Sequence, residues 1–473
     1  MTAVQARDNR SDTPRRHRLQ QFAYWVVLIL WIAPIPPAAL ATTTVVVTAV
    51  SVVNRVVDLA TGRRLYPLIA WEVGFLTIIA PEMFDVLRAP MEVPTTVRGA
   101  TLAAQLLCSC HALVVLVAEA VARSAPRRAR IRTRPSPPFW HGRNVLVVLT
   151  AVASAGVFWV PLAVSRGLNG RVGTEGVDEG PVQALGLAAA LLLPGVATVR
   201  LISSGISPLL RAYLWALPVL AIAFLSGSRN VLLFAGTVPA AIVLILRGSH
   251  KVHVARLVVL VGLLIPATAV MSAVRTTGLN NAQLSDVLHA GENVSLDQNE
   301  GVTHMTARMV DLFDHEQFRE GASAFAVTFF WIPRSVWPGK PPLLGWWLPR
   351  EMGDGGFSAG HSASVGYPGE GYADFGVIGA FAWSALVGSG AGALCRLVAR
   401  AQVTPDKWVL VAGMAYPAMY FAVRSPVTTS ITVAGVAAWV ALLRSGTISP
   451  PDATADTVGT DERSLTDGNE RSP

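Results

Sequence analysis

The chain has 473 residues, of which 52% are hydrophobic and only 14% charged, and its mean hydropathy is +0.47. A soluble protein carries about 25% charged residues, so this composition excludes the soluble, secreted, fibrous and disordered classes of protein. The net charge is +8 and the pI is near 9.8. Such a positive charge indicates a nucleic-acid partner only if the basic residues are not placed to set the orientation of the chain in a bilayer. The sequence predicts a polytopic membrane protein.

Apolar runs along the chain predict about twelve transmembrane helices, since about 20 helical residues cross a hydrocarbon core. Pro34, Pro36 and Pro37 indicate a turn between the first two helices. The arginine-rich start also resembles a cleavable signal peptide, but we predict an uncleaved anchor because cleavage would leave the next span too short. The predicted spans are 22 to 36, 38 to 54, 66 to 82, 99 to 122, 143 to 165, 181 to 200, 209 to 226, 231 to 247, 255 to 274, 371 to 395, 407 to 423 and 429 to 444.

The distribution of basic residues predicts the orientation of these helices. With the N-terminus inside, most of the arginine and lysine falls in the inner segments, as cytoplasmic loops require. Both termini are therefore predicted to be cytoplasmic, and the positive charge no longer indicates nucleic acid. The three cysteines are too few for a disulfide framework and are predicted to be packing residues: Cys108, Cys110 and Cys395.

One segment departs from the pattern of short connections and sets the predicted domain organisation. Residues 275-370 form a large extracytoplasmic loop, and loops of this length are usually functional or disordered. Within it, residues 324 to 349 are dense in Phe, Trp and Pro, which predicts helical segments lying on or dipping into the outer leaflet. The predicted domains are 1-274 with nine transmembrane helices, 275-370 as the loop, 371-445 with three transmembrane helices, and 446-473 as a disordered cytoplasmic tail.

Four arginines fall at the predicted outer membrane boundary, where the charge rule disfavours them: Arg229, Arg275, Arg334 and Arg424. A single arginine at such a boundary can snorkel without a functional role. Four of them at one depth, from distant parts of the chain, indicate an anionic partner. Because the guanidinium fork donates in pairs to phosphate oxygens, we predict a lipid diphosphate.

The segment GHSASVGYPGEGYADFGVIGA, residues 360 to 380, leads from the loop into the tenth span and offers His361, Glu370 and Asp374. Glu370 and Asp374 are four residues apart and are predicted to share one helix face. Glu370 is a candidate general base and equally a candidate structural partner for an arginine, and His361 is the competing base. No cluster has metal-ligand spacing, so we predict no metal site and no cofactor.

The string PRSVWPGKPP, which contains Arg334 and Lys340, and the string GEGYADFGVIG, which begins with Gly369 and Glu370, resemble the pattern of Wzy-type O-antigen and oligosaccharide repeat-unit polymerases. The SGSR string that contains Arg229 and the arginine between the last two spans also resemble that family. The resemblance covers residues 200 to 440. It implies an all-α, GT-C-like membrane fold and a metal-independent inverting glycosyltransferase.

Membership would imply a polysaccharide polymerase at the outer face of the bacterial plasma membrane. Its substrate would be undecaprenyl-diphosphate-linked oligosaccharide, and its partners would be the lipid bilayer, a flippase and a chain-length regulator, with no nucleic acid. Glu370 or His361 would be catalytic. The residues that would contact the substrate are Arg229, Arg275, Arg334, Lys340, Arg424, Trp337 and Tyr372.

Two other functions use the same features of the sequence. A related lipid-linked glycan transferase or ligase would have the same site and a different acceptor. A flippase or transporter of lipid-linked glycan would also need cations, but it should show internal repeats and polar residues at the bilayer midplane. We expect the charges of this chain to be concentrated at the outer boundary instead, which favours the polymerase.

Overall fold

The computed structural model describes residues 12–60, 67–90, 95–123, 301–329, 336–352 and 364–401, together with residues 332, 415, 419, 420 and 422–424. These parts of the chain are helical, and no strand occurs among them. Three helical stretches in them are long and apolar enough to cross a membrane: Pro37–Asp58, Val97–Ala122 and Gly366–Val398. The all-α class is thus confirmed for the described residues, which contain these three candidate spans, whereas most of the twelve predicted spans lie outside them.

The described helices are numbered here in chain order. A π-helical turn, Phe75–Ile79, joins α3 to α4. The helices are α1 (Asp12–Leu30), α2 (Pro37–Ala60), α3 (Leu68–Gly74), α4 (Ala80–Arg88), α5 (Val97–Ala122), α6 (Val302–Leu312), α7 (Ala322–Thr328), α8 (Leu344–Glu351) and α9 (Gly366–Ala401).

The first two helices form an antiparallel pair around the predicted proline turn. Tyr24 Oη lies 3.5 Å from Thr48 Oγ1, and a Gln20 to Ser51 hydrogen bond joins the pair nearer to the start of α1. The first predicted span, 22 to 36, was too long, because α1 ends at Leu30. The reason is local, since the prolines that follow cannot donate the backbone hydrogen bonds of a helix.

The third predicted span, 66 to 82, is a composite helix that continues to Arg88. It runs through α3, the π-helical turn and α4, with Pro81 in the first turn of α4. Proline removes one hydrogen bond from the preceding turn, and a π turn is a common way to absorb such an interruption. The helix continues beyond the predicted end at residue 82 because Glu82 does not lie at a membrane boundary. Its side chain is buried and accepts a 2.8 Å hydrogen bond from Thr303 N.

Helix α9 is two helical arms joined by a reversal, and this is the main difference from the predicted tenth span of 371 to 395. Phe375 (φ −144°, ψ 26°) and Gly376 (φ 63°, ψ −147°) interrupt the helix. A Cβ placed on Gly371 would lie 2.2 Å from the Gly379 carbonyl oxygen. Residues eight apart in a continuous helix are about 12 Å apart, so this contact requires the chain to fold back. The first arm is 366–374 and the second is 377–401.

The second arm packs in parallel along α5 through small residues. A Cβ on Gly388 would lie 2.9 Å from the Val114 carbonyl oxygen, and one on Gly392 would lie 2.7 Å from that of Ala118. Because both numbers rise together, the two helices run in the same direction. Glycines at this four-residue spacing let membrane helices approach backbone to backbone.

The described part of the predicted loop forms α6, α7 and α8, which meets the expectation of helical segments there. Helix α6 lies against the first half of α5: Asp311 accepts hydrogen bonds from Thr95 Oγ1 at 2.7 Å and Thr96 N at 2.6 Å, at the start of α5. The first arm of α9 runs beside α6, with Gly366 next to Val302. That arm begins before the predicted domain boundary at 370.

We call the end of the bundle where α5 begins the loop end, because α7 and α8 lie there. The opposite end is the one where α5 finishes at Ala122. Between them lies one apolar core that includes Trp71, Phe75 and Tyr367. The three cysteines are free and buried in this core, in agreement with the packing role predicted for them: Cys108, Cys110 and Cys395.

Candidate functional site

Glu370 lies in the first arm of α9 with its side chain almost completely buried, at 4% exposure. Within the described residues, its Oε2 atom has no hydrogen-bond partner. Its two neighbours are glycines that allow close packing on both sides, because a Cβ on Gly369 would lie 3.3 Å from Met309 and one on Gly371 would touch Gly379. A buried carboxylate oxygen without a partner is costly, so it indicates a site for a ligand or for chemistry.

Arg319 is the cation that faces Glu370 from the loop. Its backbone N–H donates to Ala373 O at 2.8 Å, which attaches it to the first arm. Burial lowers the pKa of the Arg319 guanidinium, and the nearby carboxylates of Glu370 and Asp374 oppose that effect. Arginine remains charged despite such a shift, so a fixed positive charge acts on the buried glutamate.

Three groups hold the Arg319 side chain in place. Its Nη1 donates to Ser323 Oγ at 3.0 Å and its Nη2 to Pro342 O at 2.9 Å. The guanidinium carbon lies 4.8 Å from the centre of the Trp347 ring, a cation–π contact. These contacts use α7, the segment before α8 and α8 itself, so the loop positions the guanidinium before any ligand binds.

Asp374 has a different role from Glu370, although the two share the first arm. Its two carboxylate oxygens accept hydrogen bonds from Ser323 N at 2.8 Å and Ala324 N at 2.9 Å. Asp374 therefore caps the first turn of α7, a structural contact that satisfies the carboxylate. Of the two acids, Glu370 is therefore the one available to bind a ligand or a proton.

A strained turn fixes the position of Arg319. Glu320 has φ 50° and Gly321 has φ 91°, and these left-handed conformations immediately follow Arg319. A non-glycine residue rarely adopts positive φ unless its surroundings hold it there. Here the ring of Phe375, at the reversal of α9, packs 3.4 Å from the position that a Cβ on Gly321 would take.

Three other predicted substrate-binding residues lie near this site. Lys340 is buried, and its Nζ donates to Ile332 O at 3.2 Å. Trp337 packs edge-on against Phe329, and Tyr372 packs edge-on against Phe318, the residue before Arg319. These contacts belong to the layer formed by α7, the segment before α8 and the first arm of α9.

Arg424 is not brought to Glu370. Its Nε donates to Ser364 Oγ at 2.7 Å, and Glu82 lies close enough for its charge to interact with the guanidinium. Ser364 lies two residues before the first arm of α9 and Ala373, which bonds to Arg319, lies near the other end of that arm, so the two arginines are at opposite ends of it. The remaining predicted site residues lie outside the described residues: His361, Arg229, Arg275 and Arg334.

The sequence prediction missed Arg319. The signal that identified the other arginines was present, because Arg319 is a basic residue in a segment predicted to be outside. The prediction did not include Arg319 because this residue lies in the polar string EQFREG rather than at the end of an apolar span. Only the fold of the loop shows that this string returns to the first arm of α9.

A second buried polar cluster lies at the opposite end of the bundle. Arg55 Nε donates to Glu72 Oε2 at 2.8 Å, and its Nη2 donates to Glu119 Oε1 at 2.7 Å. The described helices therefore bury charge at the end opposite the loop as well as at the loop end. The physical reason is that α2, α3 and α5 bring two acids to one arginine, and such pairing permits charge inside a membrane protein.

We name this cluster the Arg55 network, and it extends towards the middle of the bundle through neutral groups. Tyr24 Oη donates to Glu72 Oε1 at 3.0 Å. The Trp71 indole N–H donates to His111 Nδ1 at 3.1 Å, so Nε2 of the neutral His111 ring carries the hydrogen and faces Thr48 Oγ1 at 3.1 Å. The network thus links four helices through buried hydrogen bonds.

No group of three or more His, Cys, Asp or Glu side chains that could hold a metal ion occurs among the described residues. No protein-family model, curated protein or solved structure matches the chain.

Proposed function

We propose that this chain is a membrane glycosyltransferase that polymerises undecaprenyl-diphosphate-linked oligosaccharide repeat units at the outer face of a bacterial plasma membrane. One observation carries the proposal: the buried carboxylate of Glu370 has an oxygen without a partner in the described residues, and it is in range of the charge of the held Arg319, whose backbone N–H bonds to Ala373 of the same arm. A proton acceptor next to a fixed cation is what displacement of a diphosphate requires. The resemblance of the strings around Arg334 and Glu370 to repeat-unit polymerases supplies the substrate.

The proposed reaction is a single inverting displacement. A hydroxyl oxygen of the incoming lipid-linked unit bonds to the anomeric carbon of the donor glycan, and its proton passes to Glu370 or His361. The bond from the anomeric carbon to the diphosphate oxygen breaks, and undecaprenyl diphosphate leaves with that electron pair. Arg319 joins Arg334, Arg275, Arg229 and Lys340 as the cations proposed to stabilise the departing charge, each charge-assisted hydrogen bond being worth about 1.5 to 3 kcal/mol.

The arrangement of the helices supports the proposed orientation. Helix α5 and the second arm of α9 run in parallel, and both start at the loop end. An outer face at the loop end therefore agrees with the predicted topology, in which both of these spans start outside and both chain termini are cytoplasmic. In this orientation Arg319, whose backbone bonds to Ala373, lies on the side of a lipid diphosphate in the outer leaflet, and Glu370 lies about one helical turn deeper.

The test uses the full-length protein, purified in detergent, with lipid-diphosphate-linked repeat units. We expect release of undecaprenyl diphosphate together with a ladder of longer glycans. A single added block with the same release would identify a ligase or another lipid-linked transferase instead. Unchanged substrate in the presence of correctly folded protein would refute the transferase.

The predicted arginines provide variants for the same assay. Arg334→Ala and Arg275→Ala are expected to abolish polymer formation while the protein still inserts into the membrane. Retained polymer length in both variants would remove these two positions from the site.

The Arg55 network favours a second candidate, a transporter of lipid-linked glycan. Two buried carboxylates on one arginine inside the helical bundle are the kind of intramembrane ionisable group that transporters use. The two functions separate in sealed vesicles loaded with lipid-linked repeat units. Movement of the glycan across the bilayer without release of undecaprenyl diphosphate would establish the transporter and refute the polymerase.

A further inference from the structure

The second arm of α9 carries a continuous exposed stripe. Ile378 is 80% exposed and Leu386 63% exposed, and both belong to this stripe. Its spacing of three or four residues places it on one helix face, away from α5. No described residue covers this face, so in a membrane-spanning helix it is open to lipid. The exposed positions on it are Ile378, Ala382, Leu386, Ser389, Gly390, Ala393 and Leu397.

At the reversal, this stripe continues onto the loop. Phe375 is 56% exposed and Phe325 on α7 is 54% exposed. Both rings lie within 4.0 Å of the position that a Cβ on Gly321 would take, so they are neighbours. Phe325 in turn stacks on Phe329, which packs against Trp337. We call the exposed surface of Phe325, Phe375 and Ile378 the aromatic face.

Helix lengths give the depth of the aromatic face. Helix α5 has 26 residues and is about 39 Å long, about 9 Å longer than the hydrocarbon core. Counting back along both helices from the contact of Gly388 with Val114 places the reversal about 8 Å below the start of α5. The aromatic face therefore lies within a few ångströms of the edge of the hydrocarbon core, where lipid chains meet their headgroups.

A cation lies directly behind this face. Arg319 bonds to Ala373 at the end of the first arm, and Gly321, two residues later, separates Phe325 from Phe375. Of the five N–H donors of the guanidinium, the described residues accept two, through Ser323 Oγ and Pro342 O. The chain thus presents a hydrocarbon surface and an anion-binding group at one depth, which is the polarity pattern of a lipid diphosphate.

We propose that the aromatic face receives the isoprenoid chain of a polyprenyl diphosphate, with the diphosphate at Arg319. This inference rests on the proposed function and deepens it, because it assigns the route by which the lipid end of the substrate reaches the site. The face is continuous with the lipid-facing stripe of α9, so the chain enters sideways from the outer leaflet. The headgroup is then left beside Glu370.

The experiment is native mass spectrometry of the full-length protein with undecaprenyl diphosphate, undecaprenol and phosphatidylglycerol added in turn. The wild type should retain undecaprenyl diphosphate in preference to both other lipids. Phe325→Ser and Phe375→Ser should each weaken this retention by roughly tenfold, the effect of losing one buried apolar side chain. Arg319→Gln should remove the preference for the diphosphate over undecaprenol.

Leu386→Ser is the matched control, because Leu386 is equally exposed on the same arm and lies away from the aromatic face. It should retain undecaprenyl diphosphate as the wild type does, and thermal melting should show that all variants are folded. Equal retention by the Phe variants and the control would overturn the proposal, as would equal retention of phosphatidylglycerol. Because binding is measured without turnover, a protein that binds the lipid but makes no polymer would refute the proposed function alone.

Discussion

The Arg55 network and the Glu370 site both contain buried glutamate carboxylates, but the carboxylates differ in their hydrogen bonding. Glu72 and Glu119 each accept a hydrogen bond from Arg55, whereas Glu370 keeps an oxygen without a partner in the described residues. A satisfied buried carboxylate stabilises the packing of the helices around it. One with an open oxygen costs stability and is retained where a proton or a ligand is handled.

The two regions also differ in which elements build them. The Arg55 network joins helices of the bundle, with α2, α3 and α5 each supplying one charged group. The Glu370 site joins one short helical arm to the loop, through Arg319 and the cap that Asp374 places on α7. We therefore expect substitutions in the network to unfold the protein and substitutions in the site to stop the reaction.

Arg55→Met should give the largest effect on folding. Removal of the arginine leaves Glu72 and Glu119 buried without compensation, and the free energy of unfolding should fall by about 3 to 5 kcal/mol. Thermal melting of the purified protein measures this loss. Arg123→Met is the control, because Arg123 is exposed at the same end of the bundle. Equal melting temperatures for the two variants would show that the network does not stabilise the fold.

Glu370→Gln should leave the fold intact and stop the reaction. The amide keeps the shape of the side chain but cannot accept the proton, and loss of a general base slows a reaction by about 10² to 10⁴-fold. The rate of undecaprenyl diphosphate release measures the effect. Glu351→Gln, an exposed glutamate in α8, should be silent. A rate within twofold of the wild type for Glu370→Gln would transfer the role of base to His361.

The sequence predicted helices apolar enough to cross a membrane and the course of α5, because these depend on composition and on an uninterrupted apolar run, while the role of Glu370 stays a prediction. It did not predict Arg319 or the pairing of Arg55, because both depend on partners far away along the chain. Glu119, for example, is 64 residues from Arg55. Spacing within a segment carries no information about such contacts.

The reversal in α9 was missed for a different reason. The predicted tenth span, 371 to 395, runs straight across the reversal, because an apolar run cannot distinguish one long helix from two arms. The turn depends on the positive φ of Gly376, which is held by contact with Phe318. A glycine inside an apolar run is common in membrane helices and does not by itself indicate a turn.

Gly371→Ala tests the reversal. A Cβ at this position would meet the backbone of Gly379 at 2.2 Å, so the two arms must separate, and overpacking of this kind costs about 1 to 3 kcal/mol. We expect a lower melting temperature and slower turnover, because the first arm carries Glu370. Gly390→Ala is the matched control, since nothing lies within 4 Å of its Cβ position. If both variants behave alike, α9 does not fold back.

His304 should give the smallest effect, visible only as a change in pH dependence. Burial lowers the pKa of His304, and the charge of Asp85 on α4 opposes this. The unfolded chain therefore binds a proton more readily than the folded protein, and stability due to the neutral ring is lost as the pH falls below about 6.5. Melting between about pH 7.5 and about pH 5 should show a steeper loss for the wild type than for His304→Gln. Because His304 lies on α6, which joins the start of α5 to the Glu370 site, parallel pH profiles for the two proteins would show that the ring is not held neutral there.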